Sequence, residues 1–402
     1  MLIQIHTLQN YVPSNLNRDQ SGSPKDAMFG GFLRGRISSQ CLKRSIRRGE
    51  TSPFRAEFEK DDLLGERTKQ LPLIVRDELK AIGADEIAIK TIVDRVPEIG
   101  RESTKKKRNT DDDDDDELNE ANETVETGDD EVSSIDVTKQ LIFLDRKTEI
   151  RSLAEKLYDI YTKDTKTWSA KDKKGNYTQT IAEITNKLGS STPRSVDIAM
   201  FGRMTTSSAF QNVQASVQVA HALSTNAIKQ EFDYYTAMDD LKPDHEPAAD
   251  MIGDVEFNSS CYYKYCNVHW ETLLKNIGGD NAIARRAVLA LLNGFIFAQP
   301  TGKQNSFAAH NLPDFVLVEV SDKNLPVNYA NAFLNPVKGF GDKTLTANSV
   351  QALSEHVGKL SKVFSLSPDR SYLSVDELPF LNLKAQPGLD DLSAWLDSKL
   401  PH

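Results

Sequence analysis

Residues Arg36–Arg48 hold the densest set of side chains able to grip a polyanion: Arg36, Ser38, Ser39, Gln40, Lys43, Arg44 and Arg47. Guanidinium and ammonium groups neutralise phosphate. Hydroxyl and amide groups donate to phosphate oxygens or to a ribose 2′-hydroxyl. Together they bind a sugar–phosphate backbone without reading its bases. The spacing predicts a helix. Ser38 or Ser39 can cap its start by accepting from a first-turn amide, and Gly49 is a natural stop. Gln40, Lys43, Arg44 and Arg47 follow i, i+3, i+4, i+7 on one face, while Leu42 and Ile46 fall on another and can anchor the helix in a core. The helix start would add free amides and its dipole to the attraction for phosphate.

The loop ahead of this helix extends the same chemistry. Asn17-Arg18-Asp19 and Lys25 precede the pair Gly30-Gly31, and Arg34 follows it. Met1–Glu50 holds eight Lys/Arg against three Asp/Glu, the balance of a polyanion cradle. Gly302-Lys303-Gln304 forms a further basic turn. Other polar residues point nowhere comparable. Cys261 and Cys266 lie an odd number apart in a predicted strand, hence on opposite faces, so with His269 they make no metal site. His221, between alanines in a predicted helix, reads as a packed histidine. His6 has no catalytic partner in sequence. No cofactor or metal is expected.

These residues need elements to hold them. Leu2–Leu8 alternates as a strand, and Tyr11–Gly35 reads as a long loop punctuated by Pro13, Pro24 and glycines. Helical segments follow near Gln70–Ile82 and Asp85–Val96, and again over Thr138–Tyr161 and Ile181–Leu188, with a lysine-rich loop at Trp168–Asn176. Asp197–Met204 reads as a strand, Val213–Leu223 as a helix, and Val255–Val268 as the clearest strand in the chain. Asn281–Phe297 is apolar nearly all round and reads as a buried helix. Asp314–Val320 is a strand, and Asn328–Asn335, Ser349–Leu360 and Leu389–Leu400 are helical pieces. This order is the grammar of an α+β, ferredoxin-like sheet with helices on one face, shared by RNA-recognition folds.

Bulk properties narrow the class. The chain has 402 residues and a net charge of −10. Fourteen of its acidic residues and none of its basic ones fall in Asp111–Asp136, so the remainder is mildly basic and nucleic acid stays open as a partner. Arg101–Ile135 has too few apolar residues to offset ordering entropy and is expected to be disordered. Three cysteines are too few for a disulfide framework. Leu2–Leu8 shows no signal leader, and the longest apolar run, Ala287–Ala298, is short and broken by Asn293 and Gly294. A cytoplasmic protein without membrane contact is expected.

Several blocks then resemble one family. They are Asn15–Asp19, Lys25–Gly31, Arg36–Arg44, Gly202–Ser207, Ala220–Thr225, Phe232–Leu241, Gly302–Ala309 and Tyr329–Phe333. The chain resembles the CasC backbone subunit of the type I-E CRISPR Cascade complex, a member of the RAMP superfamily, over nearly all its length except Arg101–Ile135. The resemblance implies an RNA-recognition-like palm built from residues 1–52, 190–226 and 254–402. It implies helical fingers at 53–189, with a disordered acidic insert at 101–135, and a thumb hairpin at 227–253. It also implies copies that polymerise along a CRISPR guide RNA beside other Cascade subunits, kinking the guide at intervals so that its segments pair with target DNA. The expected RNA contacts are Asn17, Arg18, Lys25, Arg36, Ser38, Ser39, Gln40, Lys43, Arg44, Arg47, Arg203, Gly302, Lys303 and Gln304. Met204 and Tyr235, with Thr236 beside it, take the wedge positions. No cleavage is expected. The alternatives are a metal-dependent ribonuclease of the type III backbone kind, using Asp19 or Asp26, and a generic single-stranded RNA-binding oligomer.

Overall fold

The computed structural model describes residues 1–99, 137–138, 141–171, 177, 181–185, 194–205, 207, 209–238, 249–339 and 343–401. The acidic insert expected at 101–135 lies outside them, as do most of the lysine-rich loop and the end of the Ile181–Leu188 helix. The chain divides into two compact units: Met1–Glu57, Val217–Glu271 and Asn281–His402 form the first, and Phe58–Ser216 with Thr272–Asp280 the second.

The first unit is built on a sheet that joins nine strands among the described residues. They are β1 (Leu2–Ser14), β2 (Asp26–Phe29), β3 (Phe32–Ile37), β6 (Val217–Val219), β7 (Ala222–Ser224), β8 (Glu231–Met238), β9 (Ala249–His269), β10 (Phe315–Ser321) and β11 (Asp369–Ser374); β4 (Glu66–Thr68) and β5 (Ile142–Leu144) belong to the second unit. The main path runs β11-β10-β1-β9-β7-β3-β2, with β6 and β8 also on β9. β1 lies antiparallel between β9 (Leu8 opposite Tyr263) and β10 (Leu8 opposite Phe315). One helix, α1 (Ser39–Arg48), follows β3 in the chain, and the helix Asn281–Phe297 lies between β9 and β10. The order β10-β1-β9-β7 with those helices is the ferredoxin-like α+β arrangement.

β1 is buried on both faces, which its alternation only half announces. Ile3 and Ile5 are apolar core on one parity, but Gln4 and His6, on the other parity with Leu8, are buried too. A polar network satisfies them, as buried polar groups require. His6 Nδ1 lies 2.8 Å from Tyr263 Oη, Tyr265 Oη donates to Gln4 Oε1 at 2.7 Å, and Tyr329 Oη donates to Glu319 at 3.0 Å. The Asn281–Phe297 helix buries Ala287, Val288, Leu291, Leu292 and Phe295, as its apolar pattern demands.

Four expectations are corrected. Tyr11–Gly35 is not one loop: β1 runs to Ser14, and β2 and β3 form a hairpin around Gly30 and Gly31 at φ 62° and 81°. Two successive positive-φ residues make a tight hairpin turn that glycine adopts freely. Val213–Leu223 is not a helix but contains β6 and β7, whose backbone groups are satisfied by β9; long-range pairing overrides a helix-compatible local pattern. Asp197–Met204 is not a strand: Val196–Phe201 is a short buried helix ending at Gly202, φ 79°. Asp197 Oδ1, accepting from the Gly65 amide at 2.7 Å, pins it. Thr138–Tyr161 is helical only from residue 146; Ile142–Leu144 is β5, paired with β4 (Glu66–Thr68).

The second unit gathers helices Leu71–Ala81, Glu86–Val93 and Arg151–Lys163 around Val75, Leu79, Ile92, Leu153, Leu157 and Trp168. Asp85 caps its helix by accepting from the Ala88 amide. No helix among the described residues is long and apolar enough to cross a membrane.

Candidate nucleic-acid interface

α1 forms where its pattern places it. Ser38 is the N-cap, with extended backbone, and its Oγ accepts from the Cys41 amide at 3.2 Å. Leu42 and Ile46 are buried. Gly294 lets the Asn281–Phe297 helix close on them, since a methyl group there would come within 3.1 Å of Ile46 and of Phe54. The opposite side carries the charge. Arg44 is exposed, and Lys43 and Gln40 are half-buried. Arg47 is a correction: it is only 5 % exposed, so it is packed rather than part of an exposed cationic face.

The start of α1 is also more occupied than expected. The Ser38 amide donates to Asn17 Oδ1 at 2.8 Å and the Ser39 amide to His221 Nδ1 at 3.3 Å. With Ser38 Oγ taking the Cys41 amide, protein acceptors already fill most of the positions that would meet a phosphate. Anion binding here therefore falls on side chains. Ser38 and Ser39 are buried and serve the cap. His221 is not in a helix but in the connection between β6 and β7, and it holds the helix start.

The β1–β2 connection wraps this end of α1. Asp19 closes it from within: Oδ1 accepts from the Ser21 amide at 2.9 Å, Ser21 Oγ at 2.7 Å and the Ser23 amide at 3.0 Å. The Ser21 hydroxyl bond foremost, with backbone amides behind it, holds the Asp19 carboxyl below its ordinary pKa. The Lys25 amide donates to Asn17 O at 2.8 Å and the Arg36 amide to Lys25 O at 2.9 Å. Arg36 Nε donates to Asp26 O at 3.1 Å, and its Nη1 stands 3.4 Å from His221 Nδ1. One hydrogen-bonded set thus ties Asn17, Lys25, Arg36, Ser38 and Ser39 together, with half-buried Arg18 bridged to Pro24. Arg34, counted as a loop cation, is fully buried. It donates to the carbonyls of Ser224, Thr225, Phe333 and Leu334 at 2.6–3.2 Å, and burial lowers its pKa.

Gly302, Lys303 and Gln304 are mainly structural. A methyl on Gly302 would meet Leu16 O at 2.3 Å, so only glycine allows the turn to lie against the β1–β2 connection. Lys303 is half-buried in the left-handed region, φ 49°. Gln304 Nε2 donates to Pro300 O at 2.9 Å and Ala309 O at 3.3 Å.

The hairpin of β8 and the outer half of β9 presents aromatics on both faces. Tyr235 is 44 % exposed and sits opposite Gly253. A methyl on Gly253 would meet the Tyr235 ring and hydroxyl at 2.6 Å, so the ring lies flat over the glycine. Thr236 is exposed. Phe232 and Tyr234, 61 % and 66 % exposed, occupy the other face. The sequence assigned a wedge role to Tyr235 and none to these two, although their period-2 spacing is the signal for a shared face.

Two expected residues lie in the second unit. Met204 is 85 % exposed, an apolar side chain held in solvent. Its neighbour Arg203 is a correction: its side chain is 1 % exposed and makes a two-armed ion pair with Glu149, at 2.6 and 2.7 Å. It also donates to Phe143 O and Gln211 O. That arrangement uses all its donors inside the protein and leaves none for RNA.

Among the described residues, no group of three His, Cys, Asp or Glu stands close enough to hold a metal ion. The profile of CT1975-like proteins matches residues 3–395. The chain belongs to the CT1975-like Cas family. A chain of a solved "CRISPR RNA-guided surveillance complex, pre-nicking" is similar to this CT1975-like protein over 100 % of both chains, at 26 % identity and a TM-score of 0.74. A chain of another "CRISPR RNA-guided surveillance complex", 22 % identical and matched over 99 % of both chains with a TM-score of 0.66, shares the fold. None of the curated proteins matches the sequence.

Proposed function

We propose that this chain is a non-catalytic backbone subunit of a CRISPR surveillance complex of the type I-E Cascade kind, polymerising along guide RNA. Full-length similarity to a chain of a CRISPR RNA-guided surveillance complex supports the reading. The site chemistry agrees with it. Arg18, Lys25, Arg36, Lys43 and Arg44 are half-buried or exposed cations of the first unit, suited to phosphate and indifferent to sequence. Exposed Met204 and Tyr235 are the apolar and aromatic surfaces a base-stack wedge needs, each stacked base being worth about 1–3 kcal/mol. In this reading the first unit supplies the palm and the β8–β9 thumb, and the second the fingers. The guide pairs with target DNA while the protein holds its backbone.

The non-catalytic part rests on Asp19, the carboxylate best placed for a ribonuclease. Its Oδ1 is engaged in closing its own loop. Purifying a tagged chain from its native cells tests the whole reading. Repeat-derived guide RNA of defined length and further Cas subunits should accompany it; heterogeneous cellular RNA, or none, refutes it. Adding complementary RNA and magnesium to that complex should yield no regularly spaced cuts.

A further inference from the structure

The Phe232 and Tyr234 face of the β8–β9 hairpin has no part in the backbone grip or in the Tyr235 wedge. Both rings stand largely in solvent, 61 % and 66 % exposed. The strand register sets their surroundings. Phe232 lies directly opposite Glu256, and Tyr234 directly opposite Asp254. Opposed residues of an antiparallel pair share a face, with Cβ atoms about 4.5–5.5 Å apart. Each ring therefore has a carboxylate beside it, whereas Tyr235, on the reverse face, has Gly253. Asp254 is exposed and Glu256 half-buried. Stretches 231–236 and 253–257 contain no lysine or arginine. Among the described residues neither carboxylate forms an ion pair.

Charge chooses the occupant. A base stacked on either ring would bring its phosphate beside a carboxylate, and like charges repel. A guanidinium gains from both neighbours. Its positive plane is drawn to a ring face, and its N–H groups match a carboxylate in a two-pronged pair. Rings at positions i and i+2 of a strand stand about 6.5 Å apart along it, which is the spacing of alternate residues in any extended segment. We propose that this face docks a partner protein through arginines at alternate positions of an extended segment, each laid on a ring and paired with the carboxylate across from it. The contact needs no RNA, so it stands apart from the guide-RNA reading.

The test is fluorescence anisotropy with the nuclease-treated full chain and labelled Gly/Ser peptides that carry arginine, lysine or citrulline at alternate positions. The arginine peptide should bind about tenfold tighter than the lysine peptide, the gain of a stacked, two-pronged cation over a point charge. The citrulline peptide keeps the shape without the charge and should not bind. Any cationic peptide is also drawn to the acidic stretch Asp111–Asp136, so the deciding variant is Phe232→Ser/Tyr234→Ser, which changes no charge. In it the arginine peptide should fall to the lysine level while lysine binding stays unchanged. Asp254→Asn/Glu256→Gln should abolish the arginine preference as well. Equal binding of the arginine and lysine peptides by the native chain overturns the inference, as does an arginine preference that survives Phe232→Ser/Tyr234→Ser. Loss of single-stranded RNA binding in that variant with the arginine preference intact would give the rings to RNA. Self-association of the native chain that the variant abolishes, with no arginine preference, would give the face to a second copy. Either result overturns the inference too. The peptide series on the native chain is independent of whether the variants fold.

Discussion

Arg203 offers the sharpest contrast between a cation that could bind RNA and one that holds the protein together. Its guanidinium meets both oxygens of Glu149 and two backbone carbonyls, and both side chains of the pair are no more than 2 % exposed. Removing one partner strands the other charge in the interior, which costs about 3–5 kcal/mol. Arg203→Met and Glu149→Met should each lower stability by that amount in urea unfolding followed by tryptophan fluorescence, with Trp168 buried in the same unit. Replacing both removes the stranded charge and should recover most of the loss, the remainder reflecting the carbonyls of Phe143 and Gln211 left without donors. The double variant should bind single-stranded RNA with the native salt dependence, because no phosphate contact has been removed. If Arg203 instead touched RNA, the slope of log K against log salt would flatten by about 0.7 and the single variant would melt like the native chain. That pair of results would refute the structural role.

Three further outcomes follow from other places in the chain. Lys264 is fully buried, donating to Phe295 O at 2.8 Å, and burial lowers its pKa to about 7. The unfolded chain keeps that proton up to the ordinary lysine value while the folded chain releases it near 7, so raising the pH from 7 to 10.5 stabilises the native state. Lys264→Met should raise the melting temperature at pH 7, with a gain that shrinks toward pH 10; a pH-independent gain contradicts this. Gly253→Val should displace the Tyr235 ring and quench the fluorescence change of a 2-aminopurine base at the kink, with stability altered by less than about 1 kcal/mol; an unchanged signal would mean the ring is not seated by the glycine. Deleting Asp111–Ile135, a segment rich in acidic residues and poor in apolar ones, should leave RNA binding and assembly on gel filtration intact, and loss of the complex would contradict that.

What could be read from sequence was local. The Ser38 cap and the buried Leu42–Ile46 stripe of α1 follow from neighbours within two turns, and the Asn281–Phe297 helix from its own apolar run. What failed depended on distant partners. Val217–Val219 and Ala222–Ser224 are strands because β9 pairs with them, and nothing within three residues of either says so. The Gly30-Gly31 turn was visible, but as loop punctuation rather than as a hairpin, because β2 and β3 are only four and six residues long. The site was legible as chemistry but not as burial. Arg34, Arg47 and Arg203 read as surface cations, yet each is buried; for Arg203 the partner, Glu149, is 54 residues away.

The central claim is that the basic side of α1 holds an RNA backbone through phosphate charge. A salt titration of RNA binding by the native chain and by Lys43→Gln/Arg44→Gln tests it most directly. Loss of two phosphate contacts on a single strand should flatten the slope of log K against log salt by about 1.4 and weaken binding equally for unrelated sequences. An unchanged slope, or weakening confined to one sequence, would contradict it.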